Sequence, residues 1–383
     1  MSDFDIIVIG AGPAGSAAAT WAAKHGARVA LVDKATFPRN KLCGGLFTER
    51  SRSHYREIFG QDFDLSKSVT RHDIAFWQAG AELAVLRDIP PLHLTMRLDL
   101  DDTLFRHALD AGAVDFSGRP IAQISDNAVT FKDGNALSAP ILIGTDGVNS
   151  IVAKHLFGAA FNTETIGFGL EIEVPEATQN PNENQLRIDF SALTWGYGWS
   201  FPKQQCTTVG VGGLRAPNPD IKVQMRHYIE TLGLDPDAIK FKGHHLPFGD
   251  FRKTPGRANI VLAGDAAGLV DPITGEGIAF AMKSGQIAAQ AALDALAAGA
   301  PETTLARHKM GLRDMHKNLR IARTLRRIIF APRWQRTFTE TFRRSETVRA
   351  MYMRLLAGEM EYPQLARAVA ARLPRYVANA FRR

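Results

Sequence analysis

After a polar start the chain runs into four apolar residues, Ile6-Ile7-Val8-Ile9, and this unbroken run predicts a strand buried on both faces. Gly10-Ala11-Gly12-Pro13-Ala14-Gly15 follows, and then an alanine-rich stretch from Ser16 to Lys24 suited to a helix. Arg28-Val29-Ala30-Leu31-Val32 reads as a second strand, ending at Asp33. Beyond a loop over 37–45, helical sequence extends to about Phe59. Two or three strands are expected over 69–96, with a turn near Gly80, and a helix from near Asp99 to Ala111. A hairpin pattern follows: Ile121 to Ile124, Ala128 to Lys132, a turn at Asp133-Gly134, and Ile141-Leu142-Ile143. Residues 165–215 are strand-like around Gly and Pro, and Ile260-Val261-Leu262-Ala263 is another apolar strand. A long helix is predicted from Gly275 to Ala297. Beyond Pro301 the pattern is helical, with breaks at Pro332, Pro363 and Pro374.

The first strand, glycine turn and helix form a dinucleotide cradle. Gly10 permits the tight turn, Gly12 lets the backbone approach a pyrophosphate, and Gly15 lets the helix pack on the strand. The pyrophosphate would rest on the helix N-terminus at Pro13 and Ala14, where unpaired N–H groups and the helix dipole favour negative charge. Asp33 lies where a carboxylate bonds ribose hydroxyls, with Lys34 beside it. Two further strand ends carry related chemistry. One is Gly144-Thr145-Asp146-Gly147. The other is Gly264-Asp265-Ala266-Ala267-Gly268, continuing through Asp271-Pro272-Ile273-Thr274-Gly275-Glu276-Gly277. A strand-end Asp can accept a ribityl hydroxyl, and the glycines admit backbone N–H groups near a flavin ring. A helix starting near Gly275 would bring positive dipole to that ring. These motifs specify FAD, bound non-covalently because no flavinylation motif is recognised. No second complete cradle is present, so NAD(P)H could dock only transiently as electron donor, and ferredoxin is the other candidate.

With these motifs the chain resembles the p-hydroxybenzoate-hydroxylase-like flavoproteins over about residues 1–300. That resemblance implies that Asp265 binds the ribityl chain and that Asp146-Gly147 serves FAD and NAD(P)H. It also implies that Arg97, opening Arg97-Leu98-Asp99-Leu100-Asp101-Asp102-Thr103-Leu104, reaches the FAD. Within this group, Phe37-Pro38-Arg39-Asn40-Lys41-Leu42-Cys43-Gly44-Gly45, Tyr197-Gly198-Trp199-Ser200-Phe201-Pro202 and Asp271–Gly277 are similar to motifs of the geranylgeranyl reductases. The implied cofactor contacts therefore include Arg39, Cys43, Gly44, Pro272, Gly275 and Gly277. Cys43, Tyr197, Trp199 and Phe201 are the candidate catalytic and substrate-site residues. The implied activity is reduction of alkenes in an isoprenoid or other apolar substrate. Two alternatives stay open: an FAD-dependent monooxygenase hydroxylating an aromatic substrate, and a non-catalytic flavin-bound accessory factor. Halogenases share a related aromatic-proline motif, but the Cys-Gly-Gly loop argues against that branch. Two departures stand out. Val152 is followed by Ala153-Lys154 where the family has arginine, and the cysteine loop ends Gly44-Gly45-Leu46 without a third glycine.

Three alternating aromatics on one strand face one way, so Tyr197, Trp199 and Phe201 read either as the wall of a substrate pocket or as sheet core. Likewise Cys43 reads as a flavin or substrate contact or as a buried structural thiol.

At 383 residues the chain accommodates more than one core. The expected fold is α/β: a Rossmann-like FAD-binding domain with an inserted, mainly antiparallel sheet domain and a helical C-terminal region. The FAD-binding domain comprises 1–68, 97–160 and 254–300, and the substrate domain 69–96 and 161–253. The C-terminal region covers 301–383. Only two cysteines, Cys43 and Cys206, exclude a disulfide framework, and no Cys/His spacing suggests a metal. The start of the chain is no signal peptide and no apolar run reaches transmembrane length, so a cytoplasmic location is expected. The net charge of +7 is uneven. Residues 307–344 hold twelve Lys/Arg against Asp314 and Glu340, which leaves the rest net negative. Leu312, Met315, Leu319, Ala322, Leu325 and Ile329 recur at helical spacing within this segment. It reads as a basic amphipathic helix for peripheral contact with the inner face of a membrane, or as a helix packed on the body with a solvated charged face. No nucleic acid is expected, because no recognition module accompanies the charge.

Overall fold

The computed structural model describes residues 2–175, 185–237, 240–368 and 370. The apolar runs assemble into a six-stranded sheet in the order Gly256–Arg257, Ile260–Leu262, Ile141–Gly144, Ile6–Ile9, Val29–Val32, Val114–Phe116. All neighbours are parallel except the first pair. Ile6–Ile9, Val29–Val32 and Ile141–Gly144 are fully buried, as a parallel sheet covered on both faces requires. Helix Pro13–Lys24 packs on this sheet with Ile278–Ala297. Small residues let the two approach, and a Cβ on Gly285 would lie 2.0 Å from the Ala14 carbonyl oxygen.

A second sheet has eight strands, in the order Lys242–Leu246, Gly167–Pro175, Cys206–Leu214, Gly196–Pro202, Arg187–Asp189, Ser68–Gln78, Ala81–Thr95, Leu46–Phe47. It is antiparallel apart from Arg187–Asp189 against Ser68–Gln78. On one face, Leu170, Ile172, Val209 and Val211 pack against helix Ile221–Thr231. On the other, Trp199, Phe201 and Phe76 join the C-terminal helices in one core with Phe330, Phe342 and Tyr352.

Several boundaries differ from the sequence pattern. Leu46–Phe47 lies in a segment expected with the cradle, yet it pairs with Leu94 and His93 of the second sheet. The pairing continues the bond from Thr95 N–H to the Gly45 carbonyl. The expected hairpin is a three-stranded sheet of Ile121–Ile124, Ala128–Phe131 and Ala136–Ser138, while Ile141–Gly144 belongs to the parallel sheet. The C-terminal helices are Thr304–Gly311, Arg313–Phe330, Pro332–Arg344 and Glu346–Ala357. Pro332 starts a helix, and Pro363 sits in the first turn of helical residues 362–368, where a missing N–H does no harm. Pro374 lies outside the described residues. No helix among the described residues is long and apolar enough to cross a membrane.

Candidate functional site

The cradle is built by close approach. Gly10 has φ +101°, and a Cβ there would lie 2.5 Å from the Thr145 carbonyl oxygen. At Gly15 a Cβ would sit 1.7 Å from the Gly10 carbonyl oxygen, so the helix is pressed onto its own turn. Gly12 is different: a Cβ would meet only the Arg39 guanidinium, at 3.3 Å. No side chain caps helix Pro13–Lys24, although Pro13, Ala14 and Gly15 are buried. A buried, uncapped helix start beside a guanidinium fits a pyrophosphate. Asp33 accepts the N–H groups of Ala11 (2.8 Å) and Ala35 (2.9 Å), and so braces the rim. Lys34 is exposed beside it.

Gly264 meets the cradle directly, since a Cβ on it would lie 2.9 Å from the Ala14 Cβ. Asp265 comes next, with Oδ2 3.2 Å from Lys41 Nζ. Burial alone would raise this carboxyl, but Lys41, with a smaller contribution from Arg97, holds it below the usual range. A Cβ on Gly277 would lie 3.8 Å from Asp265 Oδ1. Pro272 is buried and packs against Gly249. The following helix starts at Ile278, slightly beyond the expected Gly275, with Gly277 as N-cap and again no side-chain cap. Beside Asp265 lies a cavity of about 280 Å³, lined in part by Val148, Phe157, Phe251, Arg252 and Gly268. The structure thus joins Gly12, Arg39, Ala14, Gly264, Asp265 and Gly277 in one contiguous surface, and the donor set and open approach fit FAD. Asp146 is engaged differently. It accepts the Ser150 hydroxyl (2.5 Å) and the Ile151 N–H (2.6 Å), holding its own loop in shape, and Gly147 beside it adopts φ +78°.

Arg97 is buried, and its fork closes on Asp101 at 2.6 and 2.8 Å. Arg39 joins the same carboxylate at 3.0 Å, so two cations share one anion and a positive charge is left over. Cys43 lies near enough that its side chain, after Asp101, favours the charged form of Arg97. Cys43 N–H donates to Glu171 Oε1 (3.2 Å), and Gly45 N–H donates to Cys43 Sγ (3.4 Å). Gly45, at φ +75°, lies where a Cβ would be 2.0 Å from the Thr95 carbonyl oxygen.

Tyr197, Trp199 and Phe201 share one sheet face. Trp199, only 7% exposed, lies over the neighbouring strand, where Gly210 and Gly212 leave room for its ring. A Cβ on Gly210 would stand 2.3 Å from Trp199 Cζ2. Gly44 adjoins the same ring and Phe201: a Cβ on it would be 3.5 Å from the indole nitrogen and 2.9 Å from the Phe201 ring. The Tyr197 hydroxyl donates to the Thr274 carbonyl (2.8 Å) and touches Gly275, tying the sheet to the Asp271–Gly277 loop. The aromatic strand and the cysteine loop therefore meet.

Sequence reasoning passed over a set of buried polar residues here. Glu171 and Lys203 face the cysteine loop. Burial pushes Glu171 up to about 7, with Lys203 and the Cys43 N–H offsetting it only in part. Burial lowers Lys203. Behind the Asp271–Gly277 loop, the Tyr362 hydroxyl meets both Asp271 oxygens at 2.7 Å. Glu276 accepts from Thr48 (2.5 Å) and Arg50 (3.3 Å), and burial pushes it up to about 7 as well. Glu171 and Glu173 alternate with Leu170, Ile172 and Val174, the pattern of a solvated strand face, so no sequence signal set Glu171 apart.

The model of the FAD dependent oxidoreductase family matches residues 5–75. A geranylgeranyl diphosphate reductase of Rhodobacter capsulatus is 30% identical over 313 residues, 78% of this chain and 77% of that protein. A menaquinone reductase of Mycobacterium tuberculosis is 31% identical over 311 residues, 75% of this chain and 76% of that protein. Among solved structures, a geranylgeranyl bacteriochlorophyll reductase-like protein from Thermoplasma acidophilum superposes with a TM-score of 0.71 at 19% identity, covering 92% of this chain and 91% of that one. The cradle, the cysteine loop over the aromatic strand and these relatives converge: the chain belongs to the geranylgeranyl reductase family of FAD-dependent oxidoreductases.

Proposed function

We propose that this enzyme saturates a carbon–carbon double bond in the isoprenoid chain of an apolar substrate. The observation that carries the reading is the Trp199 ring lying over the Gly210–Gly212 bed with Gly44 beside its indole nitrogen, an apolar surface built directly against the cysteine loop. The relatives named for geranylgeranyl diphosphate and menaquinone, both prenyl compounds, support the same class. FAD supplies reversible two-electron, hydride-level chemistry when bound. The uncapped helix start at Pro13 and Arg39 would hold its pyrophosphate, and Asp265 its ribityl hydroxyls, without a covalent link. Tyr197, through Thr274, fixes the loop that follows Asp271, and the cysteine loop excludes water beside Trp199. Ala153 is buried where the family pattern has arginine, which leaves electron supply to a transiently docked nicotinamide or ferredoxin. The test is anaerobic photoreduction of the holoprotein, followed by geranylgeranyl diphosphate or menaquinone. Saturated product supports the reading. No saturation, with hydroxylation of an aromatic compound in air, transfers it to the monooxygenase alternative.

Peripheral membrane contact is the second part of the proposal. Leu312, Leu319, Ala322 and Ile329 of the basic segment are buried against the body, so that stripe is core. What stays outside is a face of Arg320, Arg323, Arg327, Arg333 and Arg336. It surrounds the junction at Ala331, where Ile328 (47% exposed) and Trp334 (48% exposed) stand on either side. Cations around exposed apolar side chains suit an anionic bilayer holding a prenyl substrate.

A further inference from the structure

Reduction of a double bond needs a proton as well as two electrons and the first hydrogen. Besides Asp33 and Asp146, which hold backbone N–H groups at the rim and in their own loop, five buried or half-buried carboxylates face the cofactor and substrate surfaces. Four of them are committed. Asp101 is held by Arg39 and Arg97, and Asp265 by Lys41. Asp271 is held by Tyr362 and by the N–H groups of Ile273 and Thr274. Glu276 is held by Thr48 and Arg50. The fifth, Glu171, is 2% exposed, and only its Oε1 is engaged, by the Cys43 N–H. Its Oε2 is the one buried carboxylate oxygen among the described residues with no hydrogen-bond partner.

Glu171 also stands in a telling row of the sheet. It pairs with Gly210, and Gly210 pairs with Trp199 on the opposite side. The middle position of the row has no side chain, so nothing on that strand separates the carboxyl from the indole ring that fills the space above Gly210. The neighbouring positions on this face, Gly169 and Gly212, are also glycines. The groups that act on Glu171 from the packed elements are Lys203 beyond the aromatic strand, Cys43 from the loop, Glu173 on the same strand and Lys242 on the next.

We propose that Glu171 is the acid of this site, giving its proton to the substrate carbon that does not receive hydride. The inference rests on the reductase reading above. In this step the π bond breaks. One carbon gains hydride from the flavin-level reductant that the family's activity supplies. The π electron pair forms the second C–H bond with the Glu171 proton. The O–H bond of Glu171 breaks, leaving a carboxylate, and solvent restores its proton. Burial pushes the carboxyl up to about 7, so a proton donor is populated near neutrality. Its bond to Cys43 N–H holds it at the loop without using the donating oxygen.

Glu171→Gln keeps the acceptor for Cys43 N–H and removes the proton. Infrared difference spectra of the holoprotein should show a protonated-carboxyl band that titrates near pH 7 and is absent from this variant. Lys203→Met should move the midpoint upward, since Lys203 favours the carboxylate. With FAD content unchanged, Glu171→Gln should lower turnover of geranylgeranyl diphosphate or menaquinone by roughly a hundredfold, the usual effect of losing a general acid. Glu171→Asp should retain part of it, which keeps the test decisive if the Gln variant folds poorly. Full turnover in Glu171→Gln, or a Glu171 ionised throughout the neutral range, overturns the proposal. Wild-type enzyme that saturates neither compound overturns the substrate reading instead, and the infrared titration still decides whether the proton is there to give.

Discussion

Gly210→Ala tests the glycine bed beneath Trp199. A Cβ at this position would lie 2.3 Å from Trp199 Cζ2 and 2.6 Å from Cε2, with the Leu170 carbonyl oxygen at 2.7 Å. Carbon atoms in contact stand about 3.5–4.0 Å apart, so the ring must move by more than about 1 Å. The ring is 7% exposed within a packed core, and Gly44 adjoins its indole nitrogen, so it has little room to give way. Inserting a methyl into such a packed contact costs about 1–3 kcal/mol of stability. A displacement of about 1 Å at the reacting surface lowers turnover by about a hundredfold. Urea unfolding followed by far-UV circular dichroism measures the first effect, and single-turnover product formation the second. The decisive comparison is a double-mutant cycle with Trp199→Ala, in which the added methyl meets no indole. The stability cost of Gly210→Ala should then fall by at least half, the remainder coming from the Leu170 carbonyl. An undiminished cost in the Trp199→Ala background would refute the argument, because the strain would lie in the backbone and the ring would be free to yield.

Gly12→Val should leave a folded but colourless protein: the position is open except for the Arg39 guanidinium, yet a side chain there blocks backbone approach to the pyrophosphate, and flavin absorbance after desalting reads the outcome. Asp265→Ala should weaken FAD binding by about 1.5–3 kcal/mol, seen by fluorescence titration of apoprotein, with unchanged affinity counting against its assignment. Glu171 and Glu276 are both raised from 4.5 to about 7, so the folded state holds protons that the unfolded chain releases. Their contribution is complete below the unfolded value and is lost as pH rises through about 7, up to about 3 kcal/mol for each group. Urea midpoints should accordingly drift down over that window, and Glu171→Gln should flatten the drift. Changing Arg320, Arg323 and Arg327 to Gln, or Trp334 to Ala, should reduce salt-sensitive sedimentation with anionic liposomes, while equal recovery in the supernatant with anionic and neutral vesicles at low salt would reject membrane contact. Arg326 does not belong in that set, because its Nη1 donates to the Phe248 carbonyl at 2.6 Å and its loss should lower stability instead.

What the sequence disclosed follows the range of the interactions concerned. The cradle was legible because its determinants are local: a buried strand, three glycines at fixed spacing and a helix within one continuous stretch. The facing of Tyr197, Trp199 and Phe201 followed from strand alternation. Their choice between pocket wall and core did not, since it depends on what lies over them, namely a loop from residues 43–45 and helices beyond residue 313. The basic segment was legible as an amphipathic helix, but not which face the body would cover. Glu171 escaped notice because it alternates with Glu173 like the residues of a solvated strand face, and only tertiary placement makes it buried and half-unpartnered. The Arg39–Asp101–Arg97 cluster was half visible. Arg97 and Asp101 are a helical i,i+4 pair, whereas Arg39 arrives from a distant loop.

The bond from Tyr362 to Asp271 has a bearing on how the chain is made. It spans 91 positions, and Glu361 beside it is paired with Arg50 at 3.4 Å. The cradle is complete once the chain through Gly264 has left the ribosome, but the Asp271–Gly277 loop gains its brace only after Tyr362 has emerged. The adenosine half of the binding surface therefore forms earlier in synthesis than the flavin half. A chain cut short before residue 361 would keep the first and lose the buried anchor of the second, so it should yield a protein with a nucleotide grip and an unset flavin loop.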